Sequence, residues 1–417
     1  MVQDTKKCLT FIDLFAGAGG LSEGFLHHGY TPIAHVEMNP EACRTLETRA
    51  CYYYLKAAGK QDLYQKYLQG ETDRQSLFQD VPCAVTKTVI NQTMREDNIQ
   101  ILFDTIDALM TEQENDHVDI VVGGPPCQAY SIIGRSRAKD GMEHDKRNYL
   151  YLLYSKVLEK YNPRMFVFEN VPGLLTAQGG KHYRDMKAEF KRVGYIIDDR
   201  ILCAQDFGVL QNRQRVVLIG WRQGMDYAYP DFPAVRHSCT VQSLFDDLPV
   251  LEPGGESRTY AKPANGYIKE YGIRDSKDVL TWDITRPTTV QDREIYRLVI
   301  REWNEKQRRL KYTDLPAHLR THKNMDSFTD RFKVVAADLP YSHTMVAHIA
   351  KDGHYFIHPD IRQARSISVR EAARIQSFPD NFFFEGSRTS VFTQIGNAVP
   401  PLMARGIAEK LKEELER

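Results

Sequence analysis

The chain has 417 residues, which is long for one hydrophobic core and suits a large domain with a smaller one, and its hydrophobic share of 42% is ordinary for a globular protein. Lysine plus arginine and aspartate plus glutamate number 55 each, so a nucleic-acid surface would require charge to be segregated locally. The chain lacks an apolar run of roughly 20 residues, a signal-peptide pattern and a CxxC pair among its seven cysteines, so we expect a cytoplasmic protein without membrane spans, disulfide framework or metal site.

Short apolar runs alternate with helical patterns through the first half of the chain. The runs are rich in β-branched residues, as in strands that are buried on both faces. The helical patterns between them end at glycine or before proline. This alternation predicts an α/β fold with a doubly wound, mixed but mostly parallel sheet. The predicted strands are Thr10–Phe15, Ile33–Glu37, Val118–Val122, Met165–Phe168 and Val216–Ile219, and the predicted helices are Leu21–His28, Asn148–Lys160 and Tyr183–Val193.

A glycine-rich segment, Asp13-Leu-Phe-Ala-Gly-Ala-Gly-Gly20, connects the first predicted strand to the first predicted helix. Glycines at such a turn let the backbone approach a ligand, and the helix N-terminus offers it free N–H groups. A dinucleotide fingerprint is excluded, because its third glycine would fall on Ser22. Glu37 ends the next strand, where an acidic side chain can accept hydrogen bonds from ribose hydroxyls. The loop and the carboxylate together indicate an adenosine-containing cofactor.

A second loop carries a candidate nucleophile. The segment Gly123-Gly-Pro-Pro-Cys-Gln-Ala-Tyr-Ser131 directly follows a predicted strand, so Cys127 is expected at the carboxyl edge of the sheet, where ligands bind in open α/β folds. The two prolines stiffen the approach to the thiol. The polar residues from Ile132 to Arg147 include several lysines and arginines, which suits a loop that closes over a phosphate-bearing ligand.

The alternation of strands and helices is lost from about Tyr229, where prolines and glycines multiply. We therefore assign residues 1–228, completed by 392–417, to a catalytic and cofactor-binding domain, and residues 229–391 to a second, smaller and irregular domain. Between Arg286 and Lys333, twelve basic residues stand against seven acidic ones, a local surplus that suits phosphate contact.

The motifs resemble, in order and nearly from end to end, those of the C5-cytosine-specific DNA methyltransferases of bacterial or phage restriction-modification systems. After the glycine loop and the Cys127 segment come a Glu-Asn-Val motif at 169–171, a Gln-x-Arg-x-Arg motif at 211–215 and two later motifs at 365–374 and 394–400. The resemblance implies the S-adenosylmethionine-dependent methyltransferase fold. It further implies transfer of a methyl group from S-adenosyl-L-methionine to carbon 5 of a flipped-out cytosine, leaving S-adenosyl-L-homocysteine.

The resemblance also assigns roles to individual residues, and makes residues 229–391 a target-recognition domain. The catalytic residues it implies are Cys127, Glu169, Arg213 and Arg215. The cofactor-binding residues are Phe15, Ala16, Gly17, Gly19, Gly20, Leu21, Glu37, Met38, Asp104, Thr105, Pro126, Asn397 and Ala398, with residues 103–105 as an adenine-contacting turn. The DNA-binding residues that we select are Gln128, Ser131, Arg135, Arg137, Arg147, Arg308 and Arg309.

The chemistry of cytosine explains the catalytic set. A thiolate that adds to carbon 6 turns carbon 5 into an enamine-like nucleophile. Because a free thiol has a pKa of about 8.5, a guanidinium such as that of Arg213 or Arg215 would favour the thiolate. Glu169, when protonated, can donate a hydrogen bond to ring N3, and Arg215 can bind the carbonyl oxygen where negative charge develops. The base must first leave the duplex, at a cost of a few kcal/mol.

Two features depart from the family pattern. Glu37 and Asp104 are 67 positions apart, more than the family's usual gap, so residues 50–96 form an insertion rich in tyrosine. This insertion is either an extra DNA or subunit contact or a helical elaboration. Met38 stands where members of the family often have a larger aromatic residue against the adenine.

Two alternatives stay open. One is the tRNA-methylating branch of the family, against which stand Ala129-Tyr-Ser131 and the absence of a Cys-Phe-Thr signature in the second domain. The other is a catalytically silent nucleic-acid-binding homologue, against which stands the intact catalytic set. The expected partners are double-stranded DNA and, by genetic linkage, a cognate restriction endonuclease. We expect a monomer that associates with the nucleoid of a bacterial host and not with a membrane.

Overall fold

The computed structural model of the chain describes residues 8–126, 149–321, 325 and 329–417. Its main sheet consists of β1 (Thr10–Leu14), β2 (Thr31–Glu37), β3 (Val89–Asn91), β4 (Ile120–Gly123), β5 (Met165–Asn170), β6 (Tyr195–Cys203) and β7 (Gln214–Arg222). Their order across the sheet is β3-β2-β1-β4-β5-β7-β6. Strands β1 to β5 pair in parallel, and β7 is antiparallel to both β5 and β6. The predicted mixed, mostly parallel sheet is therefore confirmed.

Helices cover both faces of the sheet, because the side chains of β1, β4 and most of β5 are buried on both sides and need apolar neighbours. The helices are α1 (Gly20–His27), α2 (Pro40–Ala57), α3 (Gln61–Gln69), α4 (Arg74–Gln79), α5 (Cys83–Lys87), α6 (Ile99–Glu112), α7 (Leu150–Tyr161), α8 (Gly173–Thr176), α9 (Lys181–Arg192), α10 (Gly266–Glu270), α11 (Val290–Lys306), α12 (Val369–Ile375), α13 (Arg388–Asn397) and α14 (Pro401–Leu415).

The C-terminal helix packs on the same face of the sheet as the first helix. Met403 and Ile407 of α14 share an apolar cluster with Phe11 of β1 and Phe25 of α1. The two helices approach so closely at Gly24 that a Cβ atom there would overlap the backbone of Ala404. Helices α6, α7 and α9 cover the opposite face. The last residues of the chain therefore complete the core around the first strand.

The tyrosine-rich insertion is a helical elaboration, made of the C-terminal part of α2 and of α3, α4 and α5. Its tyrosines pack inward: the Tyr64 hydroxyl donates to the Asn381 carbonyl oxygen at 2.9 Å, and the Tyr67 hydroxyl donates to the Glu385 carboxylate at 2.6 Å. Arg49 of α2, the residue before the insertion, forms a buried ion pair with Glu23 of α1 at 2.5 Å, and the Tyr53 hydroxyl donates to the same carboxylate at 3.0 Å. The insertion thus ties the first helix to the segment that precedes α13.

The region after β7 has little regular structure beyond α10, α11, α12 and the short pair β8 (Glu256–Ser257) and β9 (Asp283–Ile284). Its core contains three fully buried arginines, each paired with a carboxylate: Arg365 with Glu371, and Arg370 and Arg374 with Asp380. None of the helices described is both long and apolar enough to cross a bilayer. Short 3-10 helices lie at Glu96–Asn98, Ala177–Gly180, Ala204–Phe207, Val241–Leu244, Tyr312–Asp314, Ala317–Leu319 and Ala347–Ala350.

Candidate active site

The glycine loop turns sharply between β1 and α1. Phe15, Gly17 and Gly19 all have positive φ angles, of 58°, 56° and 85°, a conformation that glycine adopts without steric cost. The Gly19 amide donates to the Ala16 carbonyl oxygen at 2.9 Å and closes the turn. A Cβ atom on Gly20 would overlap the Val399 carbonyl oxygen, so a glycine is needed where the loop meets the C-terminal segment.

A cavity of about 540 Å³ opens at the carboxyl ends of the parallel strands. It lies where the chain switches from the β2 side of β1 to the β4 side, the position at which open α/β sheets bind their ligands. Most of the predicted cofactor residues are brought together there. Those that line the cavity are Phe15, Ala16, Gly17, Gly20, Leu21, Glu37, Met38, Pro126, Asn397 and Ala398.

Glu37 holds the glycine loop in place. One carboxylate oxygen accepts a hydrogen bond from the Gly17 amide at 2.8 Å, and the other accepts one from the Asn39 amide at 2.8 Å. The Asn39 side chain in turn caps α2 by accepting from the amides of Glu41 and Ala42. Glu37 therefore links the loop, the end of β2 and the start of α2 at the edge of the cavity.

On another side of the cavity, the Arg215 guanidinium lies 2.5 Å from the Glu169 carboxylate. The two residues stand on the neighbouring antiparallel strands β7 and β5, and both side chains are nearly buried, at 11% and 13% exposed. A Cβ atom on Gly124 would lie only 2.5 Å from a Glu169 oxygen, so the glycine makes room for the carboxylate. The sequence predicted that these two charged residues would act together, and the structure places them side by side.

The approach to Cys127 passes along this same cavity. Pro125 and Pro126 line it, and the Asn170 side chain donates to the Pro125 carbonyl oxygen at 3.2 Å. Asn170 therefore fixes the backbone just ahead of the predicted nucleophile. The predicted residues Cys127, Gln128, Ser131, Arg135, Arg137 and Arg147 lie outside the described residues.

Arg213 does not reach the cavity. Its guanidinium is fully buried and donates to the carbonyl oxygens of Met345, Gly396 and Ala398, at 2.6, 3.3 and 2.9 Å. These bonds hold the second region against the segment that forms the cavity wall. Of the two arginines that the sequence predicts to be catalytic, Arg215 is the one among the described lining residues, and the catalytic role of Arg213 stays a prediction.

Asp104 and Thr105 are also away from the cavity, which corrects the expected adenine-contacting turn. Residues 103–105 lie inside α6, where Asp104 accepts a hydrogen bond from Gln100 at 2.8 Å and Thr105 donates to the Ile101 carbonyl oxygen at 2.8 Å. The turn that does line the cavity follows β3 and contains Gln92, Thr93 and Met94. The short β-branched run at 88–90 was the available signal for this strand end. Sequence reasoning also missed Ser390 and Thr393 of α13, which line the cavity together with Gln394 of the predicted motif at 394–400.

Of the other predicted residues, Gly19 shapes the loop without lining the cavity. Arg308 and Arg309 lie at the end of α11, beside a smaller cavity of about 220 Å³ that Asn212, Trp303 and Tyr341 also line. The Arg308 guanidinium pairs with Glu302 at 2.6 Å. Glu302 is one of the seven acidic residues between Arg286 and Lys333, so the pair leaves the predicted basic surplus unchanged, whereas Arg293 pairs at 3.0 Å with Glu252 outside the segment.

Comparison with known proteins gives a consistent match. A model of the C-5 cytosine-specific DNA methylase family matches residues 9–112 and 87–413. The type II methyltransferase M.Bpa9945I of Bacillus paralicheniformis is 42% identical and aligns with 96% of this chain and 98% of its own. M.AgeI of Thalassovita gelatinovora is 30% identical, over 96% of this chain and 98% of its own.

Two solved structures share the fold. A prophage-encoded Escherichia coli protein matches with a TM-score of 0.64 and 22% identity, covering 98% of this chain and all of that one. The Entamoeba histolytica methyltransferase EhMeth matches with a TM-score of 0.56 and 14% identity, covering 99% of this chain and all of that one. At these identities the likeness concerns the fold alone.

Proposed function

Because the chain belongs to the C-5 cytosine-specific DNA methylase family and is a DNA cytosine-5 methyltransferase of restriction-modification type, we propose that it uses S-adenosyl-L-methionine to methylate a cytosine flipped out of a specific duplex sequence, through a covalent bond from Cys127 to carbon 6. The observation that carries the proposal is one cavity that joins the glycine loop, Glu37 and the Glu169–Arg215 pair, with Pro125 and Pro126, the residues that precede Cys127 in the chain, in its lining.

The cavity has the size and the groups that S-adenosyl-L-methionine requires. Its volume lies within the range of roughly 300–1,000 Å³ for small-molecule sites. Apolar side chains of Phe15, Met38 and Met94 offer surfaces for an adenine ring, and Glu37 supplies a carboxylate for ribose hydroxyls. When bound, S-adenosyl-L-methionine supplies an electrophilic methyl group. S-adenosyl-L-homocysteine would occupy the same residues.

The protein's own groups account for the activation of the base. The Cys127 thiolate forms a bond to carbon 6 of cytosine, and the electron pair of the 5,6 double bond makes carbon 5 nucleophilic. A proton shared between Glu169 and ring N3, together with the Arg215 guanidinium, stabilises the negative charge that develops on the ring, and Arg215 holds the Glu169 side chain. After carbon 5 is methylated, a solvent base takes its proton, the electron pair of that C–H bond reforms the 5,6 double bond, and the bond from sulfur to carbon 6 breaks to restore the thiolate.

We further propose that residues 229–391 read the base sequence, while residues 1–228 with 392–417 supply the chemistry. Distinguishing base pairs requires side chains in the major groove, and Arg309 and the loops around α11 offer the right residue types on irregular backbone. The working form is a monomer on double-stranded DNA, with a genetically linked endonuclease as the biological partner.

The function is tested by expressing the chain in a host that lacks DNA methylation and sequencing its DNA after bisulfite treatment, with nucleosides from the same DNA identified by mass spectrometry. The expected result is 5-methyl-2′-deoxycytidine confined to one short recognition sequence. A methyl group on N4 of cytosine or N6 of adenine, or 5-methylcytidine found in tRNA and not in DNA, would contradict the proposal. Unmethylated DNA from a host that makes folded protein would favour the silent homologue.

A further inference from the structure

A buried carboxylate that the proposed reaction does not use lies on the floor of the cofactor cavity. Asp13 stands near the end of β1, is 1% exposed and lines the cavity. The Ser22 hydroxyl of α1 donates a hydrogen bond to it, and the same hydroxyl lies 3.1 Å from the His35 Nδ1 atom on β2. No cation pairs with Asp13 among the residues the structure describes, so its charge is not balanced by the protein there.

The other charged groups of the cavity already have partners. Glu37 accepts two backbone hydrogen bonds, and Glu169 pairs with Arg215. When Asp13 is ionised, the part of the lining that the structure describes therefore carries three carboxylates against one guanidinium. This excess of negative charge suits a ligand that brings a positive charge into a poorly solvated site.

Asp13 is also the group in this cluster whose charge is set to change near neutral pH. Burial raises the pKa of Asp13 to about 7, against the opposing effect of the Ser22 hydrogen bond, and the nearby Glu37 charge adds to the rise. Burial lowers the pKa of His35 to about 4, so His35 is neutral in this range. Burial likewise raises the pKa of Tyr154, which packs near Asp13 from α7, so its phenol stays protonated.

We infer that Asp13 distinguishes the cofactor from its product by charge: its ionised form pairs with the sulfonium of S-adenosyl-L-methionine, whose binding therefore expels a proton, whereas the uncharged thioether of S-adenosyl-L-homocysteine gives no such pairing. This inference rests on the proposed function, since it assumes that the cavity holds S-adenosyl-L-methionine. After transfer the sulfonium charge is gone, Asp13 regains its proton, and the product is held less tightly than the cofactor.

Isothermal titration calorimetry of the full chain tests the inference without turnover. At pH 6.5, titrations in phosphate and in imidazole buffer should show proton release on binding S-adenosyl-L-methionine, because imidazole adds its own heat of protonation. The affinity for S-adenosyl-L-methionine should rise by about fivefold from pH 6 to pH 7, the change expected for one carboxyl with a pKa near 7 that ionises on binding. S-adenosyl-L-homocysteine should change by less than about twofold over the same interval. Sinefungin, in which a protonated amine replaces the sulfonium, should behave like the cofactor.

Two variants separate the role of Asp13 from a general effect on folding. Asp13→Asn keeps the shape of the side chain and should abolish both the proton release and the pH dependence. Ser22→Ala removes the donor that favours the ionised form, so the rise in affinity should move to higher pH while binding persists. Thermal unfolding of both variants checks that they fold. If Asp13→Asn does not fold, the shift of the pH profile in Ser22→Ala tests the inference by itself.

The outcomes that would overturn the inference are distinct from failure of the proposed function. Equal pH dependence of the affinities for the cofactor and the product would show that Asp13 pairs with the ammonium group that both ligands share. Asp13 would then not distinguish the cofactor from the product. Cofactor binding without proton release, or an unchanged pH profile of affinity in Asp13→Asn, would show that Asp13 does not ionise to pair with the cofactor. Failure of the wild type to bind S-adenosyl-L-methionine at any pH would instead overturn the proposed function itself.

Discussion

The guanidinium of Arg215 and the carboxylate of Glu169 orient each other from neighbouring antiparallel strands. Both strands are held rigidly by the sheet, so the pair needs little reorganisation when charge develops on a base in the cavity. Gly124 leaves room for the carboxylate, and Asn170, next to Glu169 in the chain, fixes Pro125. The Glu169–Arg215 pair, the close approach to Gly124 and the position of Pro125 therefore all depend on residues at the end of β5.

We predict that Glu169→Gln lowers the single-turnover rate of methyl transfer by on the order of 10²- to 10⁴-fold, the usual contribution of a general acid. An amide has nearly the same shape but cannot transfer a proton to N3, and it leaves the Arg215 charge without its partner. Cofactor affinity should remain close to that of the wild type. Glu112→Gln, on the exposed end of α6, is the matched control, and an unchanged rate in Glu169→Gln would refute the role given to this residue.

We predict that Glu37→Ala weakens cofactor binding by about 1–3 kcal/mol, the range for loss of a hydrogen bond to a polar ligand group. Asp104→Ala should have no effect, because Asp104 bonds to Gln100 on the surface of α6 and does not line the cavity. Calorimetric titration of both variants measures the difference. Equal losses of cofactor affinity in the two variants would support the adenine contact that the sequence predicts for Asp104.

At the scale of elements, the sequence identified the strands that consist of a short run of apolar residues. Strand β6 lacks such a run, because it lies at the sheet edge and carries Asp198, Asp199 and Arg200 at partly exposed positions. Strand β3 has only three residues and was missed for its length. The motif at 103–105 lies in the middle of α6. The helical spacing of the apolar residues there is the stronger signal, and it predicts a helix instead of an adenine-contacting turn.

The burial of Arg213 could not be read from its neighbours in the chain. Its partners, Met345 and Ala398, are more than a hundred positions away and meet it only when the second region folds back onto the sheet. The cavity residues of the glycine loop were easier to identify, since the strand, the turn and the helix that shape them are consecutive. Local geometry was therefore predictable, and contacts over long sequence distances were not.

The ion pair between Arg49 and Glu23 joins α2, from which the helical insertion extends, to α1, and its strength can be measured. We predict that Arg49→Met lowers the free energy of unfolding by about 3–5 kcal/mol, because it removes the guanidinium that is bonded to the buried Glu23 carboxylate and leaves only the weaker effect of the Arg405 charge. The double variant Glu23→Gln, Arg49→Met should regain part of this loss, since the stranded charge is gone. Denaturant unfolding of the single and double variants gives the coupling. Strictly additive losses would contradict a direct pairing.

At the scale of the whole molecule, the C-terminal helix packs against the first strand and the first helix. Helix α14 packs on α1, and the segment before it, with Asn397 and Ala398, forms a wall of the cavity that the glycine loop began. The second region lies between these two parts in sequence and is tied to them through Arg213 and through the contacts of the insertion with residues 381–385. Loops of this region can therefore vary while the cavity stays the same.

This arrangement predicts that recognition can be transferred. A hybrid that carries residues 229–391 on a related enzyme of known specificity should methylate the sequence recognised by the present chain, as bisulfite sequencing would report. Arginines that contact phosphate should, when changed to Ala, weaken binding to all sequences alike and reduce the salt dependence, whereas a residue that reads a base should lose about 1–3 kcal/mol at its own position only. An active hybrid that keeps the recipient's specificity would refute the division of labour.

The assignment of Cys127 as the nucleophile is tested most directly by covalent trapping. A duplex with 5-fluorocytosine at the target position should become attached to the protein in the presence of cofactor, because the fluorine at carbon 5 cannot leave as a proton does and the bond to sulfur persists. Peptide mass spectrometry should locate the adduct on Cys127, and Cys127→Ser, which still binds cofactor, should form none. An adduct on a different cysteine, or no adduct with a duplex whose unsubstituted form the protein methylates, would contradict the covalent mechanism.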